Sequence, residues 1–271
     1  MKIVASLLAG SLTLSAAAAS AATPRQPTGK WTLDYAENMC ILQRSYGTVN
    51  DPLLVALKPA PMSDDIQLIV MTEGGGSLVR SGKVKIGFGE ASSIVETRFV
   101  SASPRGKSTR LMLIDLKRPQ IEPLRTTKVL TVQVSNGLNE AFAIDAAPMA
   151  LRGLDACVKD LLQSWGMDEQ SLASITTPPT PLNAVREVFR DTDYPDEAIR
   201  NEEEGTVGIR FLVGIDGTVR DCKIVESSGS GLLDLLICRI WTTRGRFRPA
   251  TDKDGKPLPS LSFTRVTWRL P

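Results

Sequence analysis

The hydrophobic pattern changes its period along the chain. From Trp31 to about Val134 the apolar residues come in short runs: Cys40–Leu42, Leu53–Leu57, Ile66–Met71, Ile94–Val100, Leu111–Leu116 and Val129–Val134. Clusters of turn-forming residues separate them, among them Asn50-Asp51-Pro52 and Gly74-Gly75-Gly76. Short apolar runs bounded in this way predict many short strands, and therefore a mainly β domain, sandwich or barrel-like. Leu151, Leu154, Val158 and Leu161 then recur at helical spacing, and Gly166 is placed to end that helix in the left-handed conformation. Residues 23–166 thus read as a β-rich domain with a terminal helix.

Residues 167–182 read as a linker. Thr176-Thr177-Pro178-Pro179-Thr180-Pro181 has polyproline character and suits a plain spacer. Fully extended, residues 167–182 reach at most about 55 Å. Residues 183–271 follow a different plan. A helical stretch precedes Tyr194-Pro195, and Asp196–Glu204 suits a short helix. Val207, Ile209, Phe211 and Val213 alternate as in a strand, Asp216-Gly217 offers a tight turn with positive φ, and Val219–Glu226 returns. Ser227-Ser228-Gly229 breaks that strand, Leu232–Trp241 carries a broad apolar face, and Leu261–Leu270 closes as a last strand. In that strand Ser262, Thr264, Val266 and Trp268 face one way, and Phe263, Arg265, Thr267 and Arg269 the other. The order predicts a small α+β domain, two helices on a three-stranded antiparallel sheet.

Composition narrows the function. Hydrophobic residues make up 42% and charged residues 23%, as in an ordinary globular protein, and the net charge of +2 gives no nucleic-acid footprint. Histidine is absent, which removes the commonest general base and metal ligand. No cofactor is implied. Residues 1–22 read as an export signal: Lys2, an apolar core from Ile3 to Leu14, and the small-residue site Ala19-Ser20-Ala21-Ala22. A retained membrane anchor is the alternative reading of that segment. Export to an oxidising compartment makes the four cysteines disulfide candidates, and their positions favour Cys40 with Cys157 and Cys222 with Cys238. A metal site is the alternative, although no CxxC spacing exists.

Several short motifs in the tail carry a family likeness. They are Tyr194-Pro195 with Ala198, Gly205-Thr206-Val207, Val213, Asp216-Gly217-Thr218-Val219, Ser227-Ser228-Gly229, Leu233-Asp234, Phe247-Arg248-Pro249-Ala250 and Asp254-Gly255-Lys256-Pro257. Their order resembles the TonB C-terminal domain family over Tyr194–Leu270. The resemblance implies a periplasmic, non-enzymatic binding or adaptor protein. Its last strand, Ser262, Phe263, Thr264, Arg265, Val266, Thr267 and Trp268, would pair with an extended segment of a protein partner, such as an outer-membrane TonB-dependent receptor. It also admits a signal-anchored energy transducer for outer-membrane transport. The cleavable leader and the β-rich domain in place of a long Pro-rich spacer both depart from TonB itself. Trp31-x-Leu33-x-Tyr35-Ala36-Glu37 with Cys40 and Arg44 is similar to an opening in other exported proteins with such tails, and implies no function.

Other candidates have plainer readings. Arg244, Arg246 and Arg248 form a basic cluster that suits either a helix C-terminus or docking of an acidic partner. Self-pairing of the last strand would make a homodimer. Glu202-Glu203-Glu204 reads as a solvated helix end, Gly87-Phe88-Gly89 as a bend, and Asp252 with Asp254 as a turn. No catalytic constellation emerges. Hydrolase activity in the β-rich domain is a further alternative to which no residue is assigned.

Overall fold

The computed structural model describes residues 23–36, 38–73, 81–89, 94–103, 108–135, 137–167 and 169–270. Residues 1–22, expected to be an export signal, and Gly74-Gly75-Gly76 lie outside the described residues. The structure is mostly β. Its front half is one nine-stranded antiparallel sheet, curled as a half-barrel rather than paired into a sandwich. The strands are β1 (Thr32–Ala36), β2 (Met39–Ser45), β3 (Leu53–Pro59), β4 (Asp65–Glu73), β5 (Ser81–Phe88), β6 (Ile94–Ala102), β7 (Thr109–Lys117), β8 (Val129–Val134) and β9 (Asn139–Ala143). Their spatial order is β1-β2-β3-β4-β7-β6-β5-β8-β9.

Alternation places the core. Ile66, Leu68 and Val70 on β4, Val84 and Ile86 on β5, Ile114 and Leu116 on β7, and Leu130 and Val132 on β8 are all buried on the concave face. After the short α1 (Arg118–Ile121), the helix α2 (Ala147–Ser164) lays Leu151, Leu154, Cys157, Val158 and Leu161 into the same core. It ends at Trp165 with Gly166 at φ 84°, as its spacing predicted.

Two sets of contacts close the half-barrel. The Cys40–Cys157 disulfide ties α2 to β2, with both cysteines 2% exposed. On the rim, buried Arg44 of β2 donates to the Gly29 carbonyl and to both the carbonyl and a carboxylate oxygen of Asp145. Its guanidinium lies 5.4 Å from the Trp31 ring, and the Trp31 indole N–H donates to the same Asp145 carbonyl. The Tyr46 hydroxyl donates to the Ala143 carbonyl, and burial pushes its pKa up to about 12. These bonds draw β2 towards the β9 end of the sheet. The resemblance noted for Trp31 and Arg44 therefore falls on residues that close the sheet.

The segment expected to be a plain spacer is bonded along its length. It contains α3 (Glu169–Ser174) and β10 (Thr180–Pro181), which pairs with β13 (Phe247–Arg248). The N–H groups of Thr176 and Thr177 donate to the Thr251 carbonyl, and that of Leu182 to the Arg246 carbonyl. The tail then forms α4 (Val185–Val188), α5 (Asp196–Arg200), β11 (Gly205–Val213), β12 (Val219–Glu226), α6 (Gly231–Arg244), the β14–β15 hairpin (Ala250–Thr251, Pro257–Leu258) and β16 (Ser260–Trp268). Its sheet has the order β12-β11-β16, antiparallel throughout. Val207, Ile209, Phe211 and Val213 make a second core with Leu233, Ile237, Trp241, Val266 and Trp268. Cys222 of β12 is bonded to Cys238 of α6.

The two disulfides differ in the length of chain they close. In the chain-entropy model the long loop contributes about 5 kcal/mol and the short one about 3 kcal/mol. Replacing Cys40 and Cys157 together by Ala should therefore lower the unfolding free energy in urea by more than replacing Cys222 and Cys238. Equal losses would contradict this.

The edge of the C-terminal sheet as candidate functional site

The predicted docking strand is β16, and each of its faces is packed over part of its length. On one face Val266 and Trp268 are buried in the tail core. The Trp268 ring meets Tyr194 and Phe189 edge-on, at 5.4 and 5.6 Å between centroids. The other face rests on the front half. Leu261 of β16 and Leu212 of β11 join the front core, and the Arg210 guanidinium lies 5.5 Å from the Trp165 ring.

A charged triad sits at the centre of that junction. Gly208 of β11 is paired with Glu226 on one side and Arg265 on the other. Having no side chain, Gly208 leaves a gap in the middle of this row. A Cβ there would meet Glu226 Cβ at 2.8 Å and its Oε2 at 3.1 Å. Glu226 reaches across the gap and accepts a hydrogen bond from Arg265 Nε at 2.9 Å. Lys58, on the outer face of β3, enters from above and donates to the other carboxylate oxygen at 2.5 Å. The Lys58 side chain is only 9% exposed, so its charge needs this partner. Burial opposes ionisation of Glu226, but Lys58 and Arg265 outweigh it and hold the carboxyl below its ordinary range.

The two edges of the tail sheet are unlike. Strand β16 pairs residue for residue with β11 over its nine residues and has no strand on its other side among the described residues. The opposite edge, β12, shifts register twice and holds Asp221 at φ 44°. A bulge of this kind twists an edge away from further pairing. The disulfide to α6 fixes it as well.

The other sequence candidates have structural partners. Arg244 donates to both carboxylate oxygens of Asp193 and to the Val188 carbonyl, clamping α4 to the end of α6. The hydrogen bond from Arg244 lowers the Asp193 pKa. Arg246 donates to the Thr243 and Gly245 carbonyls, and Arg248 lies exposed on β13. Arg244 is thus committed to Asp193, whereas Arg246 and Arg248 are exposed. Glu203 is bound rather than solvated: it accepts from Ser230 Oγ, while its carbonyl accepts from the Tyr194 hydroxyl. Asp252 accepts from the N–H groups of Asp254 and Lys256, which makes it a turn residue. Among the described residues no cluster of metal-ligating side chains is found.

Family-like motifs turn out to be folding signals. Asp216 accepts from Thr218 N and Oγ1, and Gly217 at φ 75° lets the Phe247 carbonyl pass where a Cβ would come within 2.1 Å. Asp234 accepts from Ser227 Oγ, Ser228 N and Ser228 Oγ, and Ser230 caps α6 by accepting from the Leu233 N–H. Neither Lys58 nor Gly208 is marked by a motif as a junction residue. A lysine inside an apolar run, Leu53–Leu57 followed by Lys58, was the one available hint.

Glu226 gives a pH prediction. Its folded pKa lies below the unfolded value of about 4.3, so its contribution to stability is full above that value and lost as pH falls through the folded pKa. Replacing it with Gln leaves Lys58 and Arg265 without a counter-charge, a loss of about 3 kcal/mol at neutral pH. The variant should also show a shallower fall in stability below pH ~4 than wild type. Parallel pH curves from chemical denaturation would contradict the role of Glu226.

Comparison with curated proteins gives no match. Residues 190–270 match the family model described as Gram-negative bacterial TonB protein C-terminal, a span that takes in α5, α6 and all three strands of the tail sheet. The C-terminal part of this chain, residues 190–270, belongs to the TonB C-terminal domain family.

Proposed function

We propose that this is a periplasmic adaptor, without enzymatic activity, that captures an extended segment of a protein partner on the open side of β16. Strand addition supplies affinity through main-chain hydrogen bonds and selectivity through alternate side chains. The observation that carries the reading is the contrast between the two edges: β16 is regular and, among the described residues, unpaired on one side, and β12 is bulged and stapled. Membership of the tail in the TonB C-terminal family supports a role in envelope transport, with an outer-membrane receptor as the kind of partner.

Two disulfides support export to an oxidising compartment. On this reading residues 1–22 are removed, 23–166 form the β-rich domain, 167–182 connect it to the tail, and 183–271 carry the docking strand. No described helix is long and apolar enough to cross a membrane. The signal-anchored transducer differs at one observable point, the mature N-terminus. Sequencing of the exported protein should give a start at Ala22 or Thr23, and a retained Met1 would favour the transducer.

The docking edge is tested with a pair of adjacent proline variants, Phe263→Pro and Thr264→Pro. Amide N–H groups along an edge strand point alternately to the neighbour and outward, so only one variant breaks the β11 ladder. The variant that retains wild-type thermal stability has lost an outward donor. It should capture its envelope partner from periplasm at least about tenfold less well, the equivalent of one hydrogen bond to a buried acceptor. Undiminished capture by that stable variant would refute docking on β16.

A further inference from the structure

The front half has a part in the same site. We propose that Lys58 and Glu226 are positioning residues for the β16 edge, acting through Arg265. This rests on the reading of β16 as the capture strand, and it brings in a residue, Lys58, that lies outside the family-matched span.

An edge strand of a three-stranded sheet is the first part of it to open, because it is bonded on one side alone. Any disorder it has must be removed when a partner strand adds, at a cost to affinity. Here β16 is held from behind at two points. Leu261 is buried in the front core, and four residues on along the same face Arg265 is fixed by Glu226, itself fixed by Lys58. Between them the Arg265 guanidinium lies over the Phe263 ring, 4.9 Å from its centroid. The side chains of Phe263 and Arg265 are thereby ordered before any partner arrives. The row works because Gly208 stands between Glu226 and Arg265, leaving room for the carboxylate to cross.

The inner amides of β16, those bonded to β11, report this directly in the free protein. Amide hydrogen exchange is measured on full-length wild type and on Lys58→Met, Lys58→Arg and Glu226→Gln. Lys58→Met should speed exchange of the inner amides within Ser262–Val266 at least about tenfold more than it speeds exchange in β4 and β8. Glu226→Gln, isosteric with the native side chain, should do the same, and Lys58→Arg should restore protection. Unchanged β16 exchange in both Lys58→Met and Glu226→Gln overturns the proposal. So does equal acceleration in every strand, which would mark a loss of global stability only. No partner is needed for this measurement. A failure of capture on β16 would leave its result standing, and a failure here would leave the capture result standing.

Discussion

The carboxylate of Glu226 is where the two halves of the chain are tied together. It sits on β12, reaches over Gly208 to Arg265 on β16, and receives Lys58 from β3 of the front sheet. Such a group is costly to bury alone and is tolerated because both cations are within hydrogen-bond distance. Beside it Leu212 and Leu261 pack against the front core, while Thr267 farther along the same face stays exposed. The tail sheet thus lies between α6 and the front half, and its strand edges are the part of it left to meet another chain.

Much of this architecture was legible because it depends on local pattern. Alternation gave the strands of the tail, helical spacing gave α2 and its end at Gly166, and four cysteines on elements that pack together gave both disulfides. Asp216-Gly217 read as a turn for a reason the structure repeats, a positive φ that glycine accepts. What the chain did not reveal depends on contacts far apart in sequence. Thr176–Leu182 looks like a spacer from its composition, yet its backbone finds partners at Arg246, Arg248 and Thr251. Arg244 looked available because Asp193 comes fifty-one positions earlier. Strand β5 went unread because Gly82, Lys83, Lys85 and Gly87 interrupt its apolar residues.

The candidate site rests on a different kind of reading. The motifs that reveal the family cap a helix, close a turn or hold a loop, so they report the fold and leave the proposed binding edge unmarked. The proposed docking strand follows from the fold, through its position at the end of the sheet. Its support from the front half could not follow, because nothing in Lys58 itself names Glu226 as its partner.

The most direct measurement is site-specific photocrosslinking in intact cells. A photoreactive amino acid at Thr267, exposed on β16, is compared with one at Lys223, exposed on β12. The account predicts a discrete adduct with another envelope protein from Thr267 and none from Lys223. An adduct from Lys223 alone, or none from either position, would contradict it.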